Sequence, residues 1–564
     1  MVRICARRLV WHAGGITRFS FHRRDGSTAA RGRFREFDGS SPMTKLTESE
    51  SIGVRVVADE VPWHDPLDLY TGLREALGDA EVFLFEDLSG EGPRQRNSAA
   101  VGVGRLAEIR GFAGHVEIDG APELVRALVA AAEAAGLHPE TSPDHPETSP
   151  EPGADPGAAA GAHRLRLTRS DQLWDLAARA QRLFVLDTEL PASEYAFGFL
   201  TSLAYESAWH MEELPRRTKA TGGPDVTLTL FRDTVRYGPD GVRLLAAESA
   251  AFPARPDRLD VAVEVWAAAQ RPENGTESAV PAAPEPREVR DSVSRATFLD
   301  WAARCLAHIG VGDIYQIQIG HRIDVRTALG PVDVYRRLRG RNPSPHMYLL
   351  PRAGSTLIGA SPELFLRIED GRIVMRPIAG TAPRCADDNE ENRRRVKELR
   401  ESEKERAEHI MLVDLCRNDI GRVCRPSVQP VDRLMAVETF SHVFHLVSSV
   451  SGELEPGVDP WQAVRATFPA GTMTGAPKLR AMEIIDGLEQ EHRGAYAGAV
   501  GLVDVRGWSE LALCIRTIAY DGSVYSTQSS AGLVAQSDPE AEWRETLAKM
   551  GAAYWALTGA EPAE

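Results

Sequence analysis

Two proline-rich interruptions restrict this chain more than any other feature. HPETSPD is followed at once by HPETSPE, from His138 to Glu151, and then by PGADPGAAAGA. A stretch so poor in apolar side chains cannot offset the entropy of ordering it, which predicts a surface linker over 138–162. A second break, RPENGTESAVPAAPEPRE, runs from Arg271 to Glu288. The two together predict an N-terminal α+β region at 43–270 and a separate block at 289–560. Residues 1–42 are rich in Arg, Gly and Ser, lack periodicity and lack the apolar h-region of a signal peptide, and read as a disordered extension.

From about Ile52 to Leu137, ahead of the first break, β-like runs (VRVVADEV, EVFLFEDL) alternate with helix-like ones (TGLREAL, PELVRALVAAAEAAG). A hydrophobic content of 43% over 564 residues is ordinary for a packed core. No run approaches the roughly 20 apolar residues of a spanning helix, so a soluble, cytoplasmic protein is expected, with no membrane partner. Cysteines at 5, 305, 385, 416, 424 and 514 form no CxxC pair, which argues against a zinc site or a disulfide framework. The formal net charge of −16 argues against nucleic acid. It also means that an anionic small substrate must be held by local positive charge, a metal or backbone amides.

Within the C-terminal block, ESEKERAEHIMLVDLCRND is strongly helical and places Glu405 and Glu408 three residues apart on one face. Glu542 and Glu545 repeat the spacing in PEAEWRETLAK. Charged pairs at this spacing are ordinarily a solvated face, yet two of them can converge on one hard divalent cation such as Mg2+. FPAGTMTGAPK lacks the GxxxxGK[ST] order of a phosphate loop, because Leu479 follows Lys478. It still offers a small-residue turn whose amides and Thr472 hydroxyl can approach a carboxylate, or it is simply a turn.

Ten motifs run in order from about Asp313 to Lys549: GDIYQIQIGHR, NPSPHMYLL, LIGASPELF, RPIAGTAPR, KERAEHIMLVDLCRNDIGRV, SHVFHLVSSVSGEL, FPAGTMTGAPKLRAMEIIDGLE, RGAYAGAVG, CIRT and DPEAEWRETLAK. This set resembles the chorismate-utilising enzymes, and most closely the large, chorismate-binding subunit of anthranilate synthases, with aminodeoxyisochorismate synthases as near relatives. The resemblance implies an α+β fold of large layered antiparallel sheets with helices outside and a central cleft.

Carried over position by position, the resemblance makes Glu408 and Glu545 direct Mg2+ ligands, with Glu405 and Glu542 close by. Arg516 and Tyr496 match the holders of the enolpyruvyl carboxylate. Thr472, Ser530, Ala531, Gly532, Lys549 and Ala379 fall on further substrate-binding positions. Glu363 matches the general acid that assists departure of the C4 hydroxyl, which requires a raised carboxyl pKa. His445, which a strand context alone would leave as a core residue, matches a residue important for pyruvate elimination, with Thr381 and Gln316 beside it as catalytic candidates.

Two positions bear on the nucleophile. Gln316 lies where the water-using isochorismate and salicylate synthases carry a lysine base, and an amide cannot take a proton from water at neutral pH. Ala379 lies where 4-amino-4-deoxychorismate synthases carry a nucleophilic lysine. Direct amination at C2 by ammonia, followed by pyruvate loss to anthranilate, is therefore expected, with arrest at aminodeoxyisochorismate as the alternative. QSSAG replaces the common QAGAG, placing Ser530 at a glycine position. LFED at Leu84 to Asp87 replaces the LLES associated with tryptophan feedback, and His346 replaces a common tyrosine, so tryptophan inhibition is expected to be weak or absent. No cysteine stands in a glutaminase context, so ammonia is expected from a separate glutamine amidotransferase subunit, with oligomeric state left open.

Overall fold

The computed structural model describes residues 51–89, 98–140, 162–215, 222–254, 261–270, 280–385, 388–426, 430–439 and 443–563. The extension at 1–42, most of the first predicted linker and half of the second lie outside the described residues. At the edge of the first linker, His138–Pro139 pairs with the strand His163–Arg166.

Antiparallel strands with helices around them dominate, as the α+β expectation requires. Sequence-distant segments share these sheets. Val82–Asp87 pairs with His346–Arg352, and Gly198–Leu203 pairs with Ala499–Asp504. The ladder that matters most for function joins Gln316–Arg326 to Tyr525–Leu533, with Gln318 opposite Gly532 and Gly320 opposite Ser530. Gly320 is required here, because a Cβ would meet the Ser529 carbonyl oxygen at 1.9 Å.

Helix boundaries follow from caps. Ser402 ends the helix Asn389–Glu401 and caps the next, Glu403–Ile420, accepting from the Glu405 amide at 3.3 Å. That break starts the second helix just ahead of Glu405 and Glu408. The final helix, Pro539–Thr558, has Asp538 as N-cap, Pro539 in its first turn, and Gly559 at φ +77° as its left-handed stop. Glu542 and Glu545 occupy its first two turns.

A large cluster containing Phe298, Tyr335, Tyr525 and Trp543 packs the final helix against the Gln316–Arg326 and Tyr525–Leu533 strands. A second contains Trp174, Phe199, Phe365 and Trp461. A small third cluster, Ala382, Leu399, Phe444 and Leu446, lies beneath the segment carrying Thr381 and His445. Each large side chain in it contributes about 1.5–3 kcal/mol by leaving water, which fixes those two strands locally.

Candidate active site

Glu363 sits in the break between the strands Ser355–Ser361 and Leu364–Glu369, where its backbone carbonyl accepts from Leu513. It is 6% exposed, and burial pushes its carboxyl up to about 8, against the opposing pull of Thr472 and the Ile378 backbone. Thr472 Oγ1 donates to Glu363 Oε1 at 3.2 Å from the turn Gly471–Met473. The turn itself is tied down by Lys478, which bridges Asp419 at 2.8 Å and the Thr467 carbonyl at 3.0 Å. A carboxyl group that stays largely protonated at neutral pH is what a general acid needs.

Thr381 and His445 come together on facing strands. The register of Ile378–Pro383 against Val443–Glu453 shifts at Gly380, which adopts φ +74°, and this bulge sets Thr381 opposite His445. His445 Nδ1 lies 3.0 Å from Thr381 Oγ1 and 3.3 Å from the Gly380 carbonyl. A carbonyl only accepts, so Nδ1 carries the proton and Nε2 carries the lone pair. Burial, and then the nearby Arg516 charge, hold the ring down at about 4, so it is neutral at working pH.

Gln316 is fully buried and its Nε2 lies 3.4 Å from Glu408 Oε1, while its Oε1 has no hydrogen-bond partner among the described residues. Gly532 abuts it, since a Cβ there would meet Gln318 Nε2 at 2.8 Å and Gln316 Nε2 at 3.2 Å. Ala531 beside it is fully buried. Lys549 donates to the Ser530 carbonyl at 2.9 Å and bridges Glu545 at 2.7 Å. Glu408 from one helix and Glu545 from another therefore reach the same strand ladder. Glu405 lies on the near side of Gly380, whose Cβ would fall 3.1 Å from its carboxylate, and Glu542 is 4% exposed. The four glutamates do not close into a ready cluster: among the described residues no three His, Cys, Asp or Glu side chains are placed to hold one ion. Mg2+ takes one or two protein carboxylates and keeps several waters, so a hydrated ion does not require a closed cluster.

Arg516 adopts φ +52°, and burial lowers its pKa, with Tyr496 and Glu545 acting in the opposite direction. Among the described residues it has no side-chain hydrogen-bond or ion-pair partner. A guanidinium in that condition is a prepared carboxylate site. Tyr496, pushed up to about 12 by burial, approaches Ser530 Oγ at 2.6 Å. Ala379 is half-buried one residue before the Gly380 bulge, and its methyl group has no nucleophilic capacity.

Sequence reasoning missed two supporting residues. Gln318 accepts from Ser530 Oγ at 3.0 Å, and its place two residues after Gln316 in a strand was the available signal. Arg493 is 4% exposed, pairs with Glu489 at 2.7 Å, and donates to the carbonyls of Met473 and Gln318 at 2.8 Å, joining the Thr472 turn to the ladder. Nothing in RGAYAGAVG marks that burial. A cavity of about 940 Å³ is lined by Asp87, His346, Arg367, Trp508 and Glu510 among others; none of the predicted site residues lines it, although Pro362 and Leu364 on either side of Glu363 do.

Residues 145–554 match the family described as chorismate binding enzyme. A 2-amino-4-deoxychorismate synthase of Streptomyces globisporus is 42% identical over 516 residues, 91% of this chain and 98% of the relative. Anthranilate synthase component 1 of Streptomyces coelicolor is 41% identical over 388 residues, 65% of this chain and 74% of the relative. Among solved structures, anthranilate synthase component I from Streptococcus pneumoniae aligns with a TM-score of 0.60 at 28% identity, covering 81% of this chain and 92% of that one. The menaquinone-specific isochorismate synthase of Escherichia coli, at 16% identity and a TM-score of 0.59 over 90% of this chain and 95% of that one, shares the fold. With most of its length inside the family match, and a relative similar along nearly its whole extent, the chain belongs to the chorismate binding enzymes.

Proposed function

We propose that this enzyme aminates chorismate at ring carbon 2 with ammonia, expels the C4 hydroxyl as water, and releases the adduct with its enolpyruvyl ether intact. The observation that supports the amination is the combination of a buried Glu363 whose pKa is raised with two positions, Gln316 and Ala379, that offer neither a base for water nor a covalent nucleophile. Ammonia attacks C2, the ring double bonds shift, and the C4–O bond breaks as Glu363 gives its proton to the departing oxygen. Arg516 holds the enolpyruvyl carboxylate. Glu408 and Glu545 would hold Mg2+, with Glu405 and Glu542 behind them. When bound, the ion supplies charge neutralisation and electron withdrawal at the ring carboxylate. Ammonia would come from a separate glutamine amidotransferase.

Retention of the ether is supported by the relative that matches from end to end. The name 2-amino-4-deoxychorismate describes an amino group at C2, no oxygen at C4 and a chorismate side chain still in place, the same adduct as aminodeoxyisochorismate. Anthranilate formation is the second reading, favoured by a neutral His445 whose Nε2 lone pair can act as a base. Incubating the purified chain with chorismate, Mg2+ and ammonium separates them. Chorismate consumption without pyruvate supports the first, stoichiometric pyruvate selects the second, and isochorismate formed without ammonia overturns both.

A further inference from the structure

We propose that Ser530 is a specificity-determining residue that takes the phenolic proton of Tyr496 away from the enolpyruvyl carboxylate and so disfavours pyruvate release. This rests on the C2-amination reading and explains why the reaction stops where it does.

Three side chains make a proton chain in the strand ladder: Tyr496 Oη and Ser530 Oγ are 2.6 Å apart, and Ser530 Oγ donates to Gln318 Oε1 at 3.0 Å. A serine hydroxyl has one proton, which goes to Gln318. Tyr496 must therefore donate its own single proton to Ser530. All three residues are buried, at 7%, 2% and 8% exposure for Tyr496, Ser530 and Gln318. The backbone carbonyl of Gln318 accepts in turn from the Arg493 guanidinium at 2.8 Å. A glycine at position 530 would have no hydroxyl to accept from Tyr496, and the phenol would be free to turn its proton to a carboxylate beside Arg516.

The chemistry makes that proton consequential. Pyruvate leaves when a base removes the C2 hydrogen, the C2=C3 bond forms, and the C3–O bond breaks with its electron pair on the ether oxygen. The departing enolate then takes a proton to become pyruvate. Negative charge grows on that arm throughout, and one well-placed donor to such a charge is worth roughly 10²–10³ in rate. With Tyr496 committed to Ser530, Arg516 holds the arm without that donor. The arm is bound for amination and unsupported for departure.

The test compares the native chain with Ser530→Ala, Ser530→Gly and Ser530→Ala/Tyr496→Phe, each checked for folding by its melting temperature. Chorismate consumed, amino adduct and pyruvate are measured with ammonium and Mg2+. Both single variants should raise pyruvate per chorismate at least tenfold and lower KM for chorismate several-fold, and adding Tyr496→Phe should cancel both gains. Unchanged pyruvate and KM in both single variants, or a gain that survives Tyr496→Phe, overturns the Ser530 assignment while leaving the amination reading intact. Stoichiometric pyruvate from the native chain instead overturns ether retention, and the assignment with it.

Discussion

Thr472 Oγ1 donates to Glu363 Oε1 across 3.2 Å, a side-chain hydrogen bond that favours the charged form of an otherwise buried carboxyl group. Glu363 acts as an acid, so its protonated form is the active one, and at constant free ammonia the rate should fall as pH rises through about 8. Thr472→Ala removes a stabiliser of the carboxylate and should move that alkaline limb to higher pH. Glu363→Gln should lower kcat by roughly 10²–10⁴, the usual worth of a positioned acid. An unmoved limb in Thr472→Ala, read from pH–rate profiles, would show that another group titrates there.

Mg2+ binding should be visible without turnover. A ligand that binds only the folded state raises its melting temperature, so Mg2+ should stabilise the native chain, and Glu408→Ala or Glu545→Ala should remove that shift. Activity in either variant should fall at least a hundredfold. Full activity in Glu408→Ala at saturating Mg2+ would contradict the ligand assignment.

His445 should contribute no acid limb to the profile between pH 5 and 8, because burial holds its ring at about 4. A one-proton limb in that range that disappears in His445→Ala would refute the neutral ring. If any pyruvate is released, His445→Ala should reduce it more than it reduces chorismate consumption.

Tryptophan should inhibit weakly or not at all. Glu86 is buried against the Arg339 guanidinium, with both oxygens at 3.0 Å, and accepts from Tyr335 at 2.6 Å, while Asp87 accepts from the Ser89 amide at 2.9 Å. His346, whose pKa burial lowers, lines the same cavity. Asp87, which stands where the feedback motif has serine, lines that cavity, and an acidic side chain there opposes an amino-acid carboxylate. Half-inhibition at micromolar tryptophan in a titration of initial rate would refute this.

Periodicity made the elements legible. The helix Glu403–Ile420 and its glutamate spacing follow from a 3.6-residue pattern, and the strand Val443–Glu453 around His445 follows from its β-type apolar residues. The resemblance located the site residues, because ordered motifs survive where long-range geometry is invisible. What stayed hidden depends on contacts between distant segments. The Gly380 bulge that aims Thr381 at His445 is a register shift, which no single strand reveals. Gln318 looked like any strand residue until Ser530 arrived from more than 200 positions away. The linkers divided the sequence on paper, yet the strands Val82–Asp87 and Gly198–Leu203 pair with partners beyond the second break.

The most direct test of C2 amination is the product made from chorismate, Mg2+ and 15N-ammonium, read by NMR. The label should sit on ring carbon 2, with the C4 oxygen gone and the enolpyruvyl methylene signals retained. Label on ring carbon 4, or an unlabelled hydroxylated product, would contradict the account.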